Sequence, residues 1–183
     1  VGPSEPGGLL PPGLHLITGD SGATDYYKRL KTDLPEGAKY PAIKAYGKPE
    51  IMATLKLFKD ISQDILTVGR LSEGLSGENV EGVDLSGALQ EAADNYMAIC
   101  MRAWEPHRDY VDVWELLNEQ DEVGVDGHRR MAQFMMHCMD IANENGYTLA
   151  LFSYSLGVPE LLEMVAIAET GCLAQALRDG HYI

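Results

Sequence analysis

The sequence is short of basic residues, and this shortage excludes one large class of partners. Its 183 residues contain 14 Lys and Arg but 28 Asp and Glu, which gives a formal net charge of -14 at pH 7. Proteins that bind nucleic acids present clustered basic side chains to the phosphates, so we expect no nucleic-acid partner. The acidity itself favours solubility, and such a surface would accept a neutral or cationic ligand.

Cysteine is also scarce, and no apolar run is long enough to span a bilayer. Cys100, Cys138 and Cys172 are widely spaced and fall within apolar helical patterns, which predicts buried, reduced thiols. Residues 1–12 have neither the basic start nor the long apolar core of a signal peptide, so we interpret them as an irregular leader. We therefore expect a soluble cytoplasmic or recombinant protein with no membrane partner, whose single domain covers residues 13–183.

The common nucleotide-binding and nucleophile motifs are missing too. The sequence has no Walker loop, no Gly-x-Gly-x-x-Gly fingerprint and no Gly-x-Ser-x-Gly elbow. The glycine-rich segment Gly19–Gly22 lacks the lysine of a phosphate-binding loop. His128 and His137 are nine residues apart in a helical pattern and so make a poor pair of metal ligands. We expect no cofactor and no metal ion.

What the sequence does contain is an alternation of strand-like and helical segments. Helical patterns cover Ser86–Trp104 and Asp126–Asn145, another begins at Pro49, and a fourth begins at Pro159 and runs to about Asp179. This alternation predicts an α/β fold with a parallel sheet and helical crossovers. The five apolar runs of strand length are Leu14–Thr18, Ala42–Tyr46, Ile65–Gly69, Val111–Leu117 and Thr148–Phe152, and His181–Ile183 looks like the start of a sixth.

The longest predicted loop covers Leu71–Ser86 and follows the third strand. It is rich in Gly, Ser, Glu and Asn. A loop of this length after a strand is often functional. A tolerated surface insertion is an equally good interpretation of it.

Polar and aromatic side chains follow the predicted strands at their carboxyl ends. Neighbouring parallel strands present these ends at one edge of the sheet, where ligands bind in α/β proteins. Aromatic rings to stack on, with amides and carboxylates to bind hydroxyls, are typical of a site for a polyhydroxylated ligand, so we expect a carbohydrate partner. The candidate binding residues are Lys44, Tyr46, Arg70, Asn118, Glu119, Tyr154 and His181.

The fourth strand carries a motif that points to one family. An apolar run leads into Trp-Glu-Leu-Leu and then into Asn118 and Glu119, followed by a loop and an amphipathic helix. This pattern resembles the fourth strand of the clan A glycoside hydrolases, which are retaining (β/α)8-barrel enzymes. The resemblance implies that Glu119 is the catalytic acid/base and that Asn118 binds the 2-hydroxyl of a sugar. The candidate strand is also the fourth by count in this sequence.

The sequence also departs from that family. A retaining glycosidase needs two carboxylates about 5–5.5 Å apart, and in the family the nucleophile ends a seventh strand that this sequence does not contain. A complete barrel typically needs ~250 residues. We therefore expect a partial (β/α) barrel of about five βα units plus a sixth-strand stub, weakly active or inactive alone. The alternative is an engineered or truncated partial-barrel scaffold that self-associates without turnover.

Two further features leave alternatives open. The last helical pattern, around Leu161–Leu177, is apolar on most sides, whereas a barrel helix needs one apolar stripe. This favours a homodimer interface or a cover for an open sheet edge over a tighter internal position. Glu115 has the same strand parity as Glu119, so both could face the barrel interior. Equally, Glu115 could be a buried carboxylate paired with Lys44 or Arg70.

Overall fold

The computed structural model describes residues 14–16, 22–35 and 39–183. The predicted leader over residues 1–12 lies outside the described residues, and so do residues 17–21, with the end of the first predicted strand and most of the glycine-rich segment. Five parallel strands form one sheet in sequence order, which confirms the predicted α/β architecture. The strands are β1 Leu14–Leu16, β2 Ile43–Gly47, β3 Thr67–Leu71, β4 Val113–Glu115 and β5 Leu149–Ala150.

Helices connect the strands as the alternation predicts. Between β3 and β4, and again between β4 and β5, a single long helix makes the crossover. Parallel neighbours require such crossovers, because a tight turn can join only antiparallel strands. The helices of the described residues are α1 Ala23–Asp33, α2 Pro49–Met52, α3 Leu55–Ile61, α4 Leu89–Trp104, α5 Gly124–Asn145, α6 Leu161–Glu169 and α7 Cys172–Asp179.

The register of the sheet decides which side chains share a face. Tyr46 lies beside Arg70 across β2 and β3, and the pairing of Gly69 with Trp114 brings Glu115 to the strand position next to Arg70. Successive side chains of a strand point to opposite faces. Tyr182 forms a parallel bridge with Ala150, in agreement with the predicted start of a sixth strand.

The helix-covered face of the sheet holds the core around Trp114. Its ring stacks on Trp104 of α4, with 5.0 Å between centroids and 12° between planes. Gly69 makes room for this ring, because a Cβ atom there would lie 2.7 Å from it. Burial of two large aromatic side chains contributes strongly to the stability of this face. The three cysteines are buried and free of disulfides, as predicted.

Three polar residues connect the amino ends of β3 and β4 through hydrogen bonds and an ion pair. The Lys59 ammonium is buried and lies 2.6 Å from Asp112 Oδ2, and it also donates to the carbonyls of Gln63 and Ile65. Thr67 donates to the same carboxylate oxygen from its backbone N–H, at 2.8 Å, and from its hydroxyl, at 3.0 Å. We call Lys59, Thr67 and Asp112 the amino-end cluster.

The last helical segment differs from the prediction. A single helix from Pro159 to Asp179 was expected, but the structure has α6 and α7, separated at Thr170 and Gly171. Gly171 has a φ of 84°, a left-handed conformation that glycine adopts without a steric penalty and that ends the first helix. The apolar composition of the segment is therefore distributed over two short helices rather than around one.

The fourth and fifth strands, β4 and β5, are shorter than predicted. Leu117 and Glu119 after β4 have φ values of 59° and 50°, and Phe152 after β5 has 61°. Positive φ is uncommon for residues other than glycine and takes the chain out of the extended conformation. These three conformations lie at the carboxyl ends of two neighbouring strands, a position where backbone strain is often associated with function.

Candidate active site

Glu115 forms the centre of a buried ionic group on the open face of the sheet. Its Oε1 accepts hydrogen bonds from Arg70 Nη1 at 2.9 Å and from Ser153 Oγ at 2.6 Å, and its Oε2 pairs with the Lys44 ammonium. Arg70 also donates to Ser153 Oγ, at 3.1 Å. The side chains of Arg70 and Glu115 are only 11% and 12% exposed. We call Lys44, Arg70, Glu115 and Ser153 the carboxyl-end cluster.

The cluster keeps Glu115 ionised. Burial raises the pKa of its carboxyl group, but hydrogen bonds from Lys44 and Ser153 and the charges of Lys44 and Arg70 outweigh burial. The pKa of Glu115 therefore lies below its ordinary value. Such a carboxylate accepts hydrogen bonds and is poorly suited to donate a proton. Of the two interpretations from the sequence, pairing with Lys44 or Arg70 is confirmed, and Glu115 in fact pairs with both.

Tyr46 extends the site along β2. The Arg70 guanidinium carbon lies 4.3 Å from the centroid of the Tyr46 ring, within the range of a cation–π contact. The phenol donates a short hydrogen bond to Glu81 Oε1. This hydrogen bond is the main reason why the pKa of Tyr46 is raised. The His15 ring lies 6.3 Å from the Tyr46 ring, and burial, followed by the charges of Lys44 and Arg70, lowers the pKa of His15.

Asn118 is held at the end of β4 by the loop that follows β3. Its backbone N–H donates to the carbonyl of Glu81 at 2.9 Å, and its Nδ2 lies 3.5 Å from Glu81 Oε1. Its Oδ1 is buried and finds no hydrogen-bond partner in the described part of the chain. Buried polar atoms are normally hydrogen-bonded, so this acceptor is available to a water or a ligand hydroxyl.

Glu119 is the exposed carboxylate of the group. Its backbone N–H donates to the carbonyl of Ser153 at 2.8 Å, which ties the end of β4 to the residues after β5. Its side chain is exposed, and its carboxylate makes neither a hydrogen bond nor an ion pair with residues 22–35 or 39–183. Glu119 is thus free to meet a ligand, whereas Glu115 is engaged on both oxygens.

Two of the predicted site residues lie elsewhere. Tyr154 stacks on Phe152 and packs against His128, with ring centroids 5.6 and 5.4 Å away, and it lines a small cavity beside α5. Burial raises the pKa of Tyr154. His181 is buried, and its Nδ1 accepts the backbone N–H of Leu149 at 3.1 Å, so it supports the last strands rather than the site.

Glu81 is the site residue that sequence reasoning missed. It reaches both Tyr46 and Asn118 from the long polar loop after β3. The only signal in the sequence was the length and polarity of that loop, which could not show which of its residues returns to the sheet. Ser153, directly after β5, joins the cluster as well, although it was not among the predicted site residues.

Two kinds of feature are absent from residues 14–16, 22–35 and 39–183. No group of three His, Cys, Asp or Glu side chains within them is placed to hold a metal ion. Every helix they form is too short or too polar to cross a membrane.

The sequence matches no protein-family model and no curated protein. Among solved structures, a family 2 AP endonuclease from Brucella melitensis has a TM-score of 0.50 at 8% identity, and the match covers 88% of this chain and 65% of the endonuclease. A β-mannanase from Thermomonospora fusca has a TM-score of 0.49 at 11% identity, with 93% of this chain and 56% of the mannanase covered. An endo-β-1,4-mannanase from Cellulomonas fimi has a TM-score of 0.41 at 13% identity, and the match covers 87% of this chain and 50% of the mannanase.

These likenesses concern the fold alone. The chain spans about half to two thirds of the length of the structures it matches, and its five parallel strands follow the order of a (β/α) barrel. The expected partial-barrel fold is therefore confirmed.

Proposed function

We propose that this chain is a glycoside-hydrolase-like module in which Glu119 protonates the glycosidic oxygen of a carbohydrate and Asn118 holds a hydroxyl of the same sugar. The observation that carries the proposal is the contrast between two carboxylates at the end of β4. Glu119 is exposed and unpaired among the described residues, whereas Glu115 is buried and ionised by Lys44 and Arg70. Of these two carboxylates, Glu119 is the one placed to meet the glycosidic oxygen of a ligand.

The surrounding side chains support a carbohydrate as the ligand. Tyr46 supplies an aromatic ring beside the carboxyl-end cluster, and Lys44 and Arg70 fix the position of Glu115 within it. Asn118 Oδ1 lacks a partner among the described residues and would accept a hydroxyl. Sugar sites commonly combine an aromatic surface with a few fixed polar groups.

The proposal also limits the expected rate. Glycoside hydrolysis requires a second carboxylate, about 5–5.5 Å away in retaining enzymes and about 6.5–9.5 Å away in inverting ones. Glu115 is a poor candidate for this role, because Lys44, Arg70 and Ser153 already bind both of its oxygens and hold it in the sheet. We therefore expect slow turnover from residues 1–183 alone.

The test is hydrolysis of a panel of nitrophenyl glycosides by the wild-type chain and by Glu119→Gln. The variant should lose at least tenfold in rate with little change in melting temperature, because general acid catalysis is typically worth 10²–10⁴-fold. Glu144→Gln, an exposed carboxylate on α5, is the matched control and should retain full activity. Equal rates in wild type and Glu119→Gln would contradict the proposal.

A second candidate is a self-associating scaffold without turnover, and exposed apolar side chains on α6 and α7 favour it. Leu161, Leu162 and Leu177 are 79%, 71% and 74% exposed. Large apolar side chains exposed on one helical segment favour an interface, and we propose a second copy of the chain as their cover.

Sedimentation velocity distinguishes this candidate from a monomeric enzyme. The wild type should sediment as a dimer at micromolar concentration, and the double variant Leu161→Glu, Leu162→Glu should sediment as a monomer. A wild type that stays monomeric at high concentration would exclude the interface. A dimer without turnover on the whole glycoside panel would favour the scaffold over the enzyme.

A further inference from the structure

The loop over residues 72–88 is fixed to the candidate site at several points. The Gln120 side chain makes two hydrogen bonds with the backbone of Val83, at 2.7 and 2.8 Å. Tyr96 donates to the carbonyl of Val80 at 3.0 Å, and Arg130 donates to the carbonyl of Leu85 at 2.8 Å. The loop is therefore part of the wall of the site rather than a free surface insertion.

Glu81 is the residue of this loop that faces the site. Its backbone carbonyl accepts the N–H of Asn118, and its Oε1 accepts from Tyr46 and lies 3.5 Å from Asn118 Nδ2. Its half-buried carboxylate has a second oxygen, Oε2, without a hydrogen-bond or ion-pair partner among the residues that the structure describes. One oxygen is thus fixed by the protein, and the other is available.

We propose that Glu81 is a specificity-determining residue, which accepts a hydroxyl of the ligand next to the hydroxyl that Asn118 binds. The inference rests on the proposed function and deepens it. Asn118 Oδ1 and Glu81 Oε2 both lack partners among the described residues, and the contact of Asn118 Nδ2 with Glu81 Oε1, at 3.5 Å, places the two side chains next to each other. Two adjacent acceptors select a ligand with two adjacent hydroxyl donors, which is a vicinal diol of a sugar ring.

The chemistry makes this position selective. Hydrogen bonds from neutral donors to a fixed carboxylate are stronger than those between neutral groups. A site built to bind a hydroxyl discriminates strongly against an analogue that lacks it, because the acceptor then stays unpaired. Glu81 would therefore select the ligand by its hydroxyl pattern, whereas Glu119 would act on the bond that is cleaved.

The test measures binding of methyl glycosides of glucose, mannose, galactose and xylose by calorimetry, for the wild-type chain and for Glu81→Gln. The amide keeps an oxygen for Tyr46 but places an NH₂ group at the ligand-facing position. We expect at least tenfold weaker binding of the preferred glycoside and an unchanged melting temperature. Glu78→Gln, in the same loop but directed to Arg102, is the matched control and should bind as the wild type does.

Deoxy analogues show whether the lost contact is a hydroxyl contact. The wild type should bind one monodeoxy analogue of the preferred glycoside at least tenfold more weakly than the parent, and Glu81→Gln should bind the two alike. If Glu81→Gln and the wild type bind the parent equally well, the inference is wrong while the proposed function stands. If the wild type binds none of the glycosides, the proposed function fails, and the inference fails with it.

A readout without ligand tests the geometry itself. The hydrogen bond to Glu81 raises the pKa of Tyr46, so Glu81→Ala should lower that pKa. An NMR titration of the protein with ring-labelled tyrosine measures the change. Tyr46→Phe identifies the resonance and should weaken glycoside binding less than Glu81→Gln does, because it leaves the carboxylate in place. An unchanged Tyr46 pKa in Glu81→Ala would show that the two side chains are not paired and would overturn the inference.

Discussion

The two ends of the sheet each hold a carboxylate paired with a lysine, and they use these groups differently. At the amino end, Asp112 accepts from Lys59 and Thr67, and the Lys59 ammonium has three acceptors within hydrogen-bond distance. At the carboxyl end, Glu115 pairs with two cations, and Arg70 Nε is buried with no hydrogen-bond partner among the described residues.

The difference separates a structural group from a candidate binding group. The amino-end cluster pairs its cation fully, whereas the carboxyl-end cluster keeps a buried donor, Arg70 Nε, without a partner among the described residues, at a cost in stability. In barrel folds the amino end of the strands contributes stability and the carboxyl end holds the site. Three acceptors without a partner in the described part of the chain lie at the carboxyl end, namely the Glu119 carboxylate, Asn118 Oδ1 and Glu81 Oε2.

The largest effect on stability is expected from Glu115→Gln. Removing this charge leaves Lys44 and Arg70 without their shared counter-ion in a largely buried position. Breaking a buried pair in this way costs about 3 kcal/mol. Urea unfolding at pH 7 should show the loss, with the exposed Glu91→Gln on α4 as the control. A loss no greater than that of the control would mean that water screens the carboxyl-end cluster.

The stability difference between the wild type and Glu115→Gln should also depend on pH. Glu115 has a pKa below its ordinary value of 4.5 in the folded chain. The stability it contributes is complete above 4.5 and is lost as the pH falls through the lowered pKa of the folded state. The difference in unfolding free energy between wild type and Glu115→Gln should therefore be constant from pH 7 to about 5 and narrow below 4.5. A difference that grows on acidification would contradict this assignment.

A smaller loss is expected from Lys59→Met at the amino end. The change removes the cationic partner of Asp112 and leaves the carbonyls of Gln63 and Ile65 without this donor. Asp112 is partly exposed and keeps its contacts with Thr67, so we expect about 2 kcal/mol rather than the full cost of a buried pair. Urea unfolding measures it, and Lys56→Met, exposed on the same helix, should be nearly neutral.

The smallest effect is expected from Lys44→Met, the matching lysine at the carboxyl end. Glu115 keeps Arg70 and Ser153 on its other oxygen, so the loss should be about 1 kcal/mol, the typical net contribution of one hydrogen bond. If Lys44→Met lowers the unfolding free energy as much as Lys59→Met does, the two lysines contribute equally to stability, and the proposed difference between the two ends of the sheet is wrong. Glycoside binding by the two variants also distinguishes the two ends of the sheet, because only Lys44→Met should weaken binding.

Much of the fold could be predicted from local patterns. Periodicity placed every strand of the sheet and a helical segment after each strand from β2 onward, because it reports the face that each segment buries. The helix α1 was not among the predicted helices. The pairing of Glu115 with Lys44 or Arg70 was one of two open interpretations. It could be named because a buried carboxylate needs a partner, and these were the cations at neighbouring strand ends.

The parts that could not be predicted depend on contacts far apart in the sequence. Glu81 reaches Tyr46 across 35 residues and Asn118 across 37, and no local pattern shows where a loop returns to the sheet. Tyr154 follows a strand as the site residues do, and His181 begins the predicted sixth strand, but Tyr154 packs against α5 and His181 is buried in the core. The side to which each residue points depended on the turn after β5 and on the short last strand.

By itself the sequence determined the α/β architecture and the position of Asn118 and Glu119 after the fourth strand, because both depend on local periodicity and element order. Only the tertiary structure decided which carboxylate is free. Glu115 is neutralised by cations from β2 and β3, and Glu81 is brought in by a loop held on Gln120. The charge state and reach of a side chain depend on strand register and long-range packing, which sequence spacing does not encode.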